Sequence, residues 1–343
     1  IMNEAQTFLQ YQLRSEEGIN AVNNLYERGY SDEVIDKFEV GFASSKVSLS
    51  NFLLAKSYSE QDLIDVNLSR NMDGQIRDVF FDRIMFPIHD RNGQVIAYSG
   101  RALAKESNIK YINTSNTALY TKGDVVYNYH RAKDSARYHQ AIIVTEGVTD
   151  SFAFSIAGND NVVSLLGVAG TDGQIKEVSY LSKTVILAFD GDQAGQSATY
   201  AIGKKFKNMR CDVYVWYNDS GMDPDDLLRK SGAKALNDGL ENKIAWLDYI
   251  VFYAIGTYGL NSFENKKKVA KFVIDELQNE DTLAQDYYMK MIAEKTSLDL
   301  NILESFLNKK ESREKSRRVF IENKKATGIT ATAGIGTNMY LCK

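Results

Sequence analysis

Four runs of consecutive apolar residues alternate with helical patterns between residues 140 and 220. A run of strand length that is apolar on both faces predicts a strand buried on both sides of a sheet. Helical segments such as residues 195–206 lie between the runs, so the strands are predicted to be parallel and joined by helical crossovers. The sequence therefore predicts an α/β fold with a parallel sheet. The four runs are residues 141–145, 162–166, 184–189 and 212–217.

The residues before this region are predicted to form helices and a β-hairpin. Residues 1–60 show the three- and four-residue spacing of helices, and Gly29 and Ser31 predict that one helix ends and another begins there. Between residues 80 and 135, two apolar runs flank an Asn-Gly dipeptide at positions 92–93, which is a signal of a β-hairpin.

The composition is that of a globular protein and excludes several classes. With 343 residues and a net charge of −4, the chain is not a purely electrostatic binder of nucleic acid, although a local basic groove or a carboxylate metal site stays open. Cys211 and Cys342 form no CxxC pair, so we expect no zinc within this chain. No apolar run approaches the ~18–20 residues of a membrane span. The start has no signal-peptide pattern and is typical of the middle of a longer protein.

Acidic side chains follow three of the predicted strands. Glu146 follows the first strand, Asp190 and Asp192 follow another, and residues 223–226 read DPDD after the last. Parallel strands end at the same edge of an open α/β sheet, where ligands bind, so we expect these carboxylates to share one cleft. Clustered carboxylates repel each other, and Mg²⁺ prefers oxygen ligands of this kind. The pattern therefore predicts a divalent-metal site.

Each acidic group taken alone also has a structural explanation. Asp-Gly is a common turn dipeptide, and Asp192 is suited to cap a helix that begins at Gln193. Three acidic groups at the ends of strands of one sheet are much harder to explain by turns and caps alone, so the metal site is the favoured interpretation.

The sequences around these acids resemble the two signatures of the TOPRIM domain. These are TEGVTD at residues 145–150 and FDGDQAG at residues 189–195. The DPD sequence at residues 223–225 resembles the third acidic motif of DnaG-type bacterial primases, whose acids bind the metals of nucleotidyl transfer. The resemblance implies Mg²⁺ or Mn²⁺ as the cofactor. It also implies the following ligands, of which the first three would be catalytic: Glu146, Asp190, Asp192, Asp223 and Asp225.

The half of the chain before the sheet is similar to the RNA-polymerase core of bacterial primases in the order and spacing of its motifs. These motifs are ERG at 27–29, RIMFPI at 83–88, GR at 100–101, KYIN at 110–113 and TKG at 121–123. Arg and Lys bind phosphates, and Tyr can stack on a base. The resemblance implies a groove for template and nucleotide that is lined by Arg28, Arg101, Lys110, Tyr111 and Lys122, whereas Arg83 is also compatible with a structural role.

The patterns and the resemblance together predict four segments in a TOPRIM-type α/β protein. They are an amino-terminal α/β subdomain with the basic groove (1–136), a TOPRIM domain with a parallel sheet flanked by helices (137–242), a wholly helical bundle (243–310), and a charged linker with a tail (311–343). Residues 327–343 look like a fragment of a Y-family DNA polymerase, and we expect the tail to be dispensable.

The resemblance implies a DNA primase that makes short RNA primers for DNA replication. The expected partners are a single-stranded DNA template, nucleoside triphosphates and the RNA primer, without a membrane. A replicative helicase is expected from the family, although the helicase-binding domain of the family is not found in this sequence. The expected location is the cytoplasm of a bacterium, or a phage or mobile element.

Two other classes of function stay open. The first is a TOPRIM nuclease or topoisomerase, and with 20 tyrosines the sequence does not exclude an attacking tyrosine. The second is a non-catalytic protein that binds nucleic acid through a degenerate site. The primase-like basic half argues against the first alternative, and the intact acidic motifs argue against the second.

Overall fold

The computed structural model describes residues 1–104, 109–167, 170–216, 218 and 220–307. It has the predicted α/β fold and divides into two compact units, Ile1–Trp246 and a second that begins at Leu247. The tail predicted at 311–343 lies outside the described residues.

The first part of the larger unit is a mixture of helices and an antiparallel sheet. The sheet has the strand order β1-β4-β5-β6, and β2 and β3 form a separate hairpin that the sequence did not indicate. The elements are α1 (Met2–Arg14), α2 (Ile19–Glu27), α3 (Asp32–Lys37), β1 (Gly41–Ala43), α4 (Leu49–Ala55), α5 (Glu60–Asp65), β2 (Ser69–Met72), β3 (Gln75–Asp78), β4 (Arg83–His89), β5 (Val95–Ala102) and β6 (Tyr111–Asn113).

Two local predictions in this part are confirmed. Gly29 ends α2 with a φ of 82°, a left-handed conformation that glycine adopts without strain. The Ser31 side chain then accepts a hydrogen bond from the Val34 amide and caps α3. The Asn-Gly dipeptide lies in the turn between β4 and β5, which pair antiparallel.

A parallel sheet forms the second part of the larger unit. Its order is β11-β10-β9-β7-β8, and β10, β9, β7 and β8 are parallel to one another. The elements are α6 (Tyr129–His139), β7 (Ile142–Thr145), α7 (Val148–Ile156), β8 (Val162–Ser164), α8 (Asp172–Leu181), β9 (Thr184–Ala188), α9 (Gln193–Asn208), β10 (Asp212–Val215), α10 (Pro224–Glu241) and β11 (Ile244–Ala245). The short antiparallel β11 corrects the expectation that the chain is wholly helical from residue 243.

One apolar core joins the two parts of this unit. Phe152 of α7 is completely buried, and it packs in the same cluster as Phe38, Phe86 and Tyr30 from the amino-terminal part. The boundary that the sequence predicted between residues 136 and 137 falls inside α6. The antiparallel and parallel sheets are therefore held together as one compact body.

The second unit is helical over its described residues. It contains α11 (Trp246–Tyr258) except for its first residue, α12 (Phe263–Leu277), α13 (Thr282–Thr296) and a helical segment at 300–307. Buried apolar side chains such as Val269 and Val273 in α12 and Ile292 in α13 form its interior. Among the described residues, no helix combines the length and apolar character that crossing a membrane requires.

Candidate functional site

The carboxyl edge of the parallel sheet borders a cleft of about 880 Å³. Glu146 follows β7, Asp190 follows β9, and Asp223 precedes α10, so the topology brings together side chains that are far apart in sequence. All three line the cleft, and Asp225 lines it as well. The structure thus gathers most of the predicted acids at the predicted edge.

The acids in the cleft lie close enough for their like charges to raise one another's pKa values. Burial raises the pKa of Asp190 to about 6, and the charges of Glu146 and Asp223 add to this effect. Burial, with the nearby charge of Asp192, also raises the pKa of Glu146. Oxygen donors with raised pKa values fit a divalent cation, because the cation relieves both the repulsion and the cost of burial.

Asp150, the last residue of the TEGVTD motif, also lines the cleft but was not predicted to be a site residue. It is 6 % exposed, and its Oδ2 accepts a hydrogen bond of 2.9 Å from the amide of Gly147. Burial raises its pKa well above the ordinary range, and the charges of Asp223 and Asp190 raise it further. The signal in the sequence was its place three residues after Gly147, where an acid caps the start of α7.

Two of the predicted metal ligands also cap helices. Asp192 accepts a hydrogen bond of 2.8 Å from the Gly195 amide at the start of α9, and Asp223 accepts one of 2.6 Å from the Asp226 amide at the start of α10. Asp192 is exposed and lies outside the lining of the cleft as far as the described residues define it. The capping role that the sequence suggested for Asp192 is therefore present.

Asp225 differs from the other acids because its charge already has partners. It is ion-paired with Arg28, and Tyr30 donates a hydrogen bond of 2.9 Å to its Oδ1. Its side chain is 3 % exposed and that of Arg28 is 11 % exposed. With Asp223 and Asp226 it forms a group whose carboxylate oxygens lie within 4.8 Å of one another, an arrangement that can hold a metal ion.

The predicted basic and aromatic residues line the same cleft. They are Arg28, Arg101, Lys110, Tyr111 and Lys122. Arg101 and Lys110 lie over the ring of Tyr111, with their charged groups 5.7 Å and 5.9 Å from its centroid. This aromatic ring with two cations close to it is a suitable surface for a base and its phosphates.

Arg83 has a structural role. Its side chain is buried, and its guanidinium donates hydrogen bonds of 3.0 Å to the Gly100 carbonyl and 3.2 Å to the Ile109 carbonyl. These bonds fix the backbone next to Lys110. Arg83 therefore holds a neighbouring part of the cleft in place.

Comparisons with known proteins agree with this geometry. Residues 8–133 match the family described as "DNA primase catalytic core, N-terminal domain", and residues 143–228 match the family described as "Toprim-like". The chain is 30 % identical to a DNA primase of Helicobacter pylori over 85 % of this chain and 52 % of that protein. It is 28 % identical to a DNA primase of Listeria monocytogenes over 90 % of this chain and 50 % of that protein. The chain spans about half the length of the curated relatives that it matches.

Solved structures are similar over most of this chain. The RNA polymerase domain of the Mycobacterium tuberculosis primase DnaG, in complex with a double-stranded DNA that has a 6-nucleotide overhang, matches with a TM-score of 0.74 and 27 % identity, covering 87 % of this chain and 96 % of that one. A DnaG primase catalytic domain bound to single-stranded DNA matches with a TM-score of 0.73 and 27 % identity, covering 88 % and 96 %.

The fold and the site define a protein with a Toprim-like sheet whose acidic edge borders a basic cleft. Both family matches and the similarity to solved catalytic cores identify the chain more closely. The chain contains the two domains of a DnaG-type primase catalytic core, the N-terminal domain of that core and a Toprim-like domain.

Proposed function

We propose that this chain synthesises short RNA primers on a single-stranded DNA template. The observation that carries the proposal is a single cleft that is lined both by acids of the Toprim-like sheet and by Arg101, Lys110 and Lys122. Primer synthesis requires both sets, because the template and the triphosphate are anionic and the reacting oxygens develop negative charge. The relatives named above are DNA primases, which supports this choice.

The proposed metal ligands are Glu146, Asp190, Asp192 and Asp223, with Asp225 at their border. Divalent ions bound there would stabilise charge on the attacking 3′-hydroxyl and on the departing pyrophosphate. Mg²⁺ is the proposed ion, and Mn²⁺ is the alternative with the same preference for oxygen. The position of Asp190 would be fixed because it closely follows β9, a buried strand in the middle of the sheet.

The basic residues would bind and orient the substrates. Arg101 offers a planar pair of donors for a phosphate, and Lys110 and Lys122 act as point charges. Tyr111, whose ring lies close to Arg101 and Lys110, would stack on a base. In this proposal the protein contributes positioning and electrostatic stabilisation, without a covalent nucleophile.

The proposed partners follow from the reaction. They are single-stranded DNA, nucleoside triphosphates and the growing RNA, and the supply of these molecules would place the protein in a cytoplasm. A replicative helicase is a proposed partner from the family resemblance, through a part of the protein other than this catalytic core.

Incorporation of radiolabelled nucleoside triphosphates tests the proposal. The chain is incubated with single-stranded DNA, with and without Mg²⁺ or Mn²⁺, and the same DNA is examined for breaks. We expect RNA products that depend on both the template and the metal. Broken DNA without RNA products would instead support a nuclease or topoisomerase, and DNA binding without either product would support a non-catalytic protein.

A further inference from the structure

We propose that Tyr30 is a positioning residue for the acidic side of the cleft. Its hydroxyl would hold Asp225 and, through the first turn of α10, the orientation of Asp223. This inference rests on the proposed metal-dependent function, but it concerns a residue outside both the acidic and the basic motifs.

The backbone at Tyr30 is fixed by the end of α2. The Gly29 amide donates to the Tyr26 carbonyl at 2.8 Å, and the Tyr30 amide donates to the Leu25 carbonyl at 3.1 Å. This pair of bonds, with Gly29 at a φ of 82°, is a Schellman motif, in which the residue after the glycine packs against the helix. The motif directs Tyr30 into the core, where it is 1 % exposed.

The ring of Tyr30 is fixed by its packing in the core, independently of the hydrogen bond that its hydroxyl makes. Its centroid lies 5.4 Å from that of Phe152 in α7, and both rings belong to the core that joins the two sheets. The hydroxyl therefore has a defined place at the border of the Toprim-like part, which a flexible surface side chain does not have.

The hydroxyl reaches one oxygen of a carboxylate whose other oxygen is also bound. Tyr30 donates to Oδ1 of Asp225 at 2.9 Å, and Arg28 binds Oδ2. The two contacts on different oxygens fix the rotation of the carboxylate, which a single contact does not. A buried charge of this kind is costly without such partners.

The position of Asp225 in α10 connects this contact to the cleft. Asp225 is two residues after Asp223, the N-cap of the helix, and the Asp223 carboxylate accepts from the Asp226 amide. Pro224 at the first helical position makes this turn stiff. Anchoring Asp225 therefore limits how Asp223, which lines the cleft, moves relative to Asp190 and Glu146.

The Tyr30→Phe variant removes the hydroxyl and keeps the ring. Tyr127→Phe is the matched control, because Tyr127 is completely buried in the same core and its hydroxyl has no hydrogen-bond partner among the described residues. The first measurement is the binding of Mn²⁺ to the nucleotide-free protein by electron paramagnetic resonance. The second is primer synthesis as a function of Mg²⁺ concentration.

We expect Tyr30→Phe to weaken Mn²⁺ binding by about 10-fold, the lower end of the effect of groups that orient metal ligands. Primer synthesis should need correspondingly more Mg²⁺, with a smaller loss of kcat at saturating metal. Tyr127→Phe should change neither quantity. In an Asp225→Asn background, Tyr30→Phe should have little further effect, because the two residues act through one contact.

Several results would overturn the inference. Unchanged Mn²⁺ affinity in Tyr30→Phe, with affinity lost in Asp190→Ala, would refute the role of Tyr30 and leave the proposed function intact. Equal losses in Tyr30→Phe and Tyr127→Phe, or a Tyr30→Phe protein that does not fold, would show that the hydroxyl serves the core alone. Absence of Mn²⁺ binding in the unaltered chain would refute both this inference and the metal-dependent function.

Discussion

The ring of Phe152 in α7 stacks on the ring of Phe38, with centroids 3.9 Å apart. Phe152 belongs to the part that the sequence predicted as a TOPRIM domain, and Phe38 follows α3 in the amino-terminal part. Both side chains are completely buried. The contact joins, through a common core, the two parts that carry the acidic and the basic residues of the cleft, so the relative placement of these residues depends on packing as well as on the two sheets.

Phe152→Ala should destabilise the whole of residues 1–246. Removal of a buried aromatic ring costs about 3–5 kcal/mol, and the loss affects both parts because they share the core. Urea denaturation followed by circular dichroism and by tryptophan fluorescence should give coincident, shifted transitions for this unit. Phe81→Ala is the control, since Phe81 is 50 % exposed. Separate transitions for the two sheets would contradict the shared core.

Asp190→Ala should abolish primer synthesis while the protein stays folded. We expect a loss of at least about 100-fold, in line with the loss of a group that stabilises charge in the transition state. The metal-free protein should melt at the same or a higher temperature, because one of several repelling charges is gone. Asp212→Ala is the control, since Asp212 begins β10 at the opposite edge of the sheet. Primer yield near that of the unaltered chain would argue against the metal site.

The contribution of Asp190 to the stability of the metal-free protein should fall as pH rises from about 4 to about 6. The pKa of Asp190 is raised from its ordinary value of 3.8 to about 6, mainly by burial. The folded state therefore binds the proton more tightly than the unfolded state, and this contribution is present at low pH and lost as pH rises through 6.

Urea denaturation in EDTA at a series of pH values checks this dependence. The difference between the unaltered chain and Asp190→Asn should be on the order of 1 kcal/mol across this range, because partial exposure of Asp190 weakens the effect. Parallel stability curves for the two proteins would contradict the raised pKa.

Arg101→Ala and Lys122→Ala should weaken binding of single-stranded DNA and reduce its dependence on salt. Each lost phosphate contact should lower the slope of log affinity against log salt concentration by about 0.7. Fluorescence anisotropy at several salt concentrations measures both quantities. Lys234→Ala is the control, since Lys234 lies on α10 outside the cleft with a side chain that is 85 % exposed. Equal affinities and slopes in all three variants would contradict the proposed groove.

The parallel sheet and the meeting of Glu146 and Asp190 could be predicted from the sequence. Strands buried on both faces are continuous apolar runs, and parallel strands must end at one edge, so local pattern and topology together place these acids. The basic residues were predicted from the resemblance of their motifs, because a lone Arg101 or Lys122 has no local pattern that separates it from a solvated surface charge.

The tertiary structure alone decided the surroundings of those residues. Tyr30 and Asp225 are 195 positions apart, and Asp150 is buried in α7, which packs with the distant helix α10. Hydrophobic periodicity reports which face of an element is buried, but it carries no information about the partner that covers that face. Contacts between distant segments form only when the whole core is assembled, so the bond between Tyr30 and Asp225 required the folded chain.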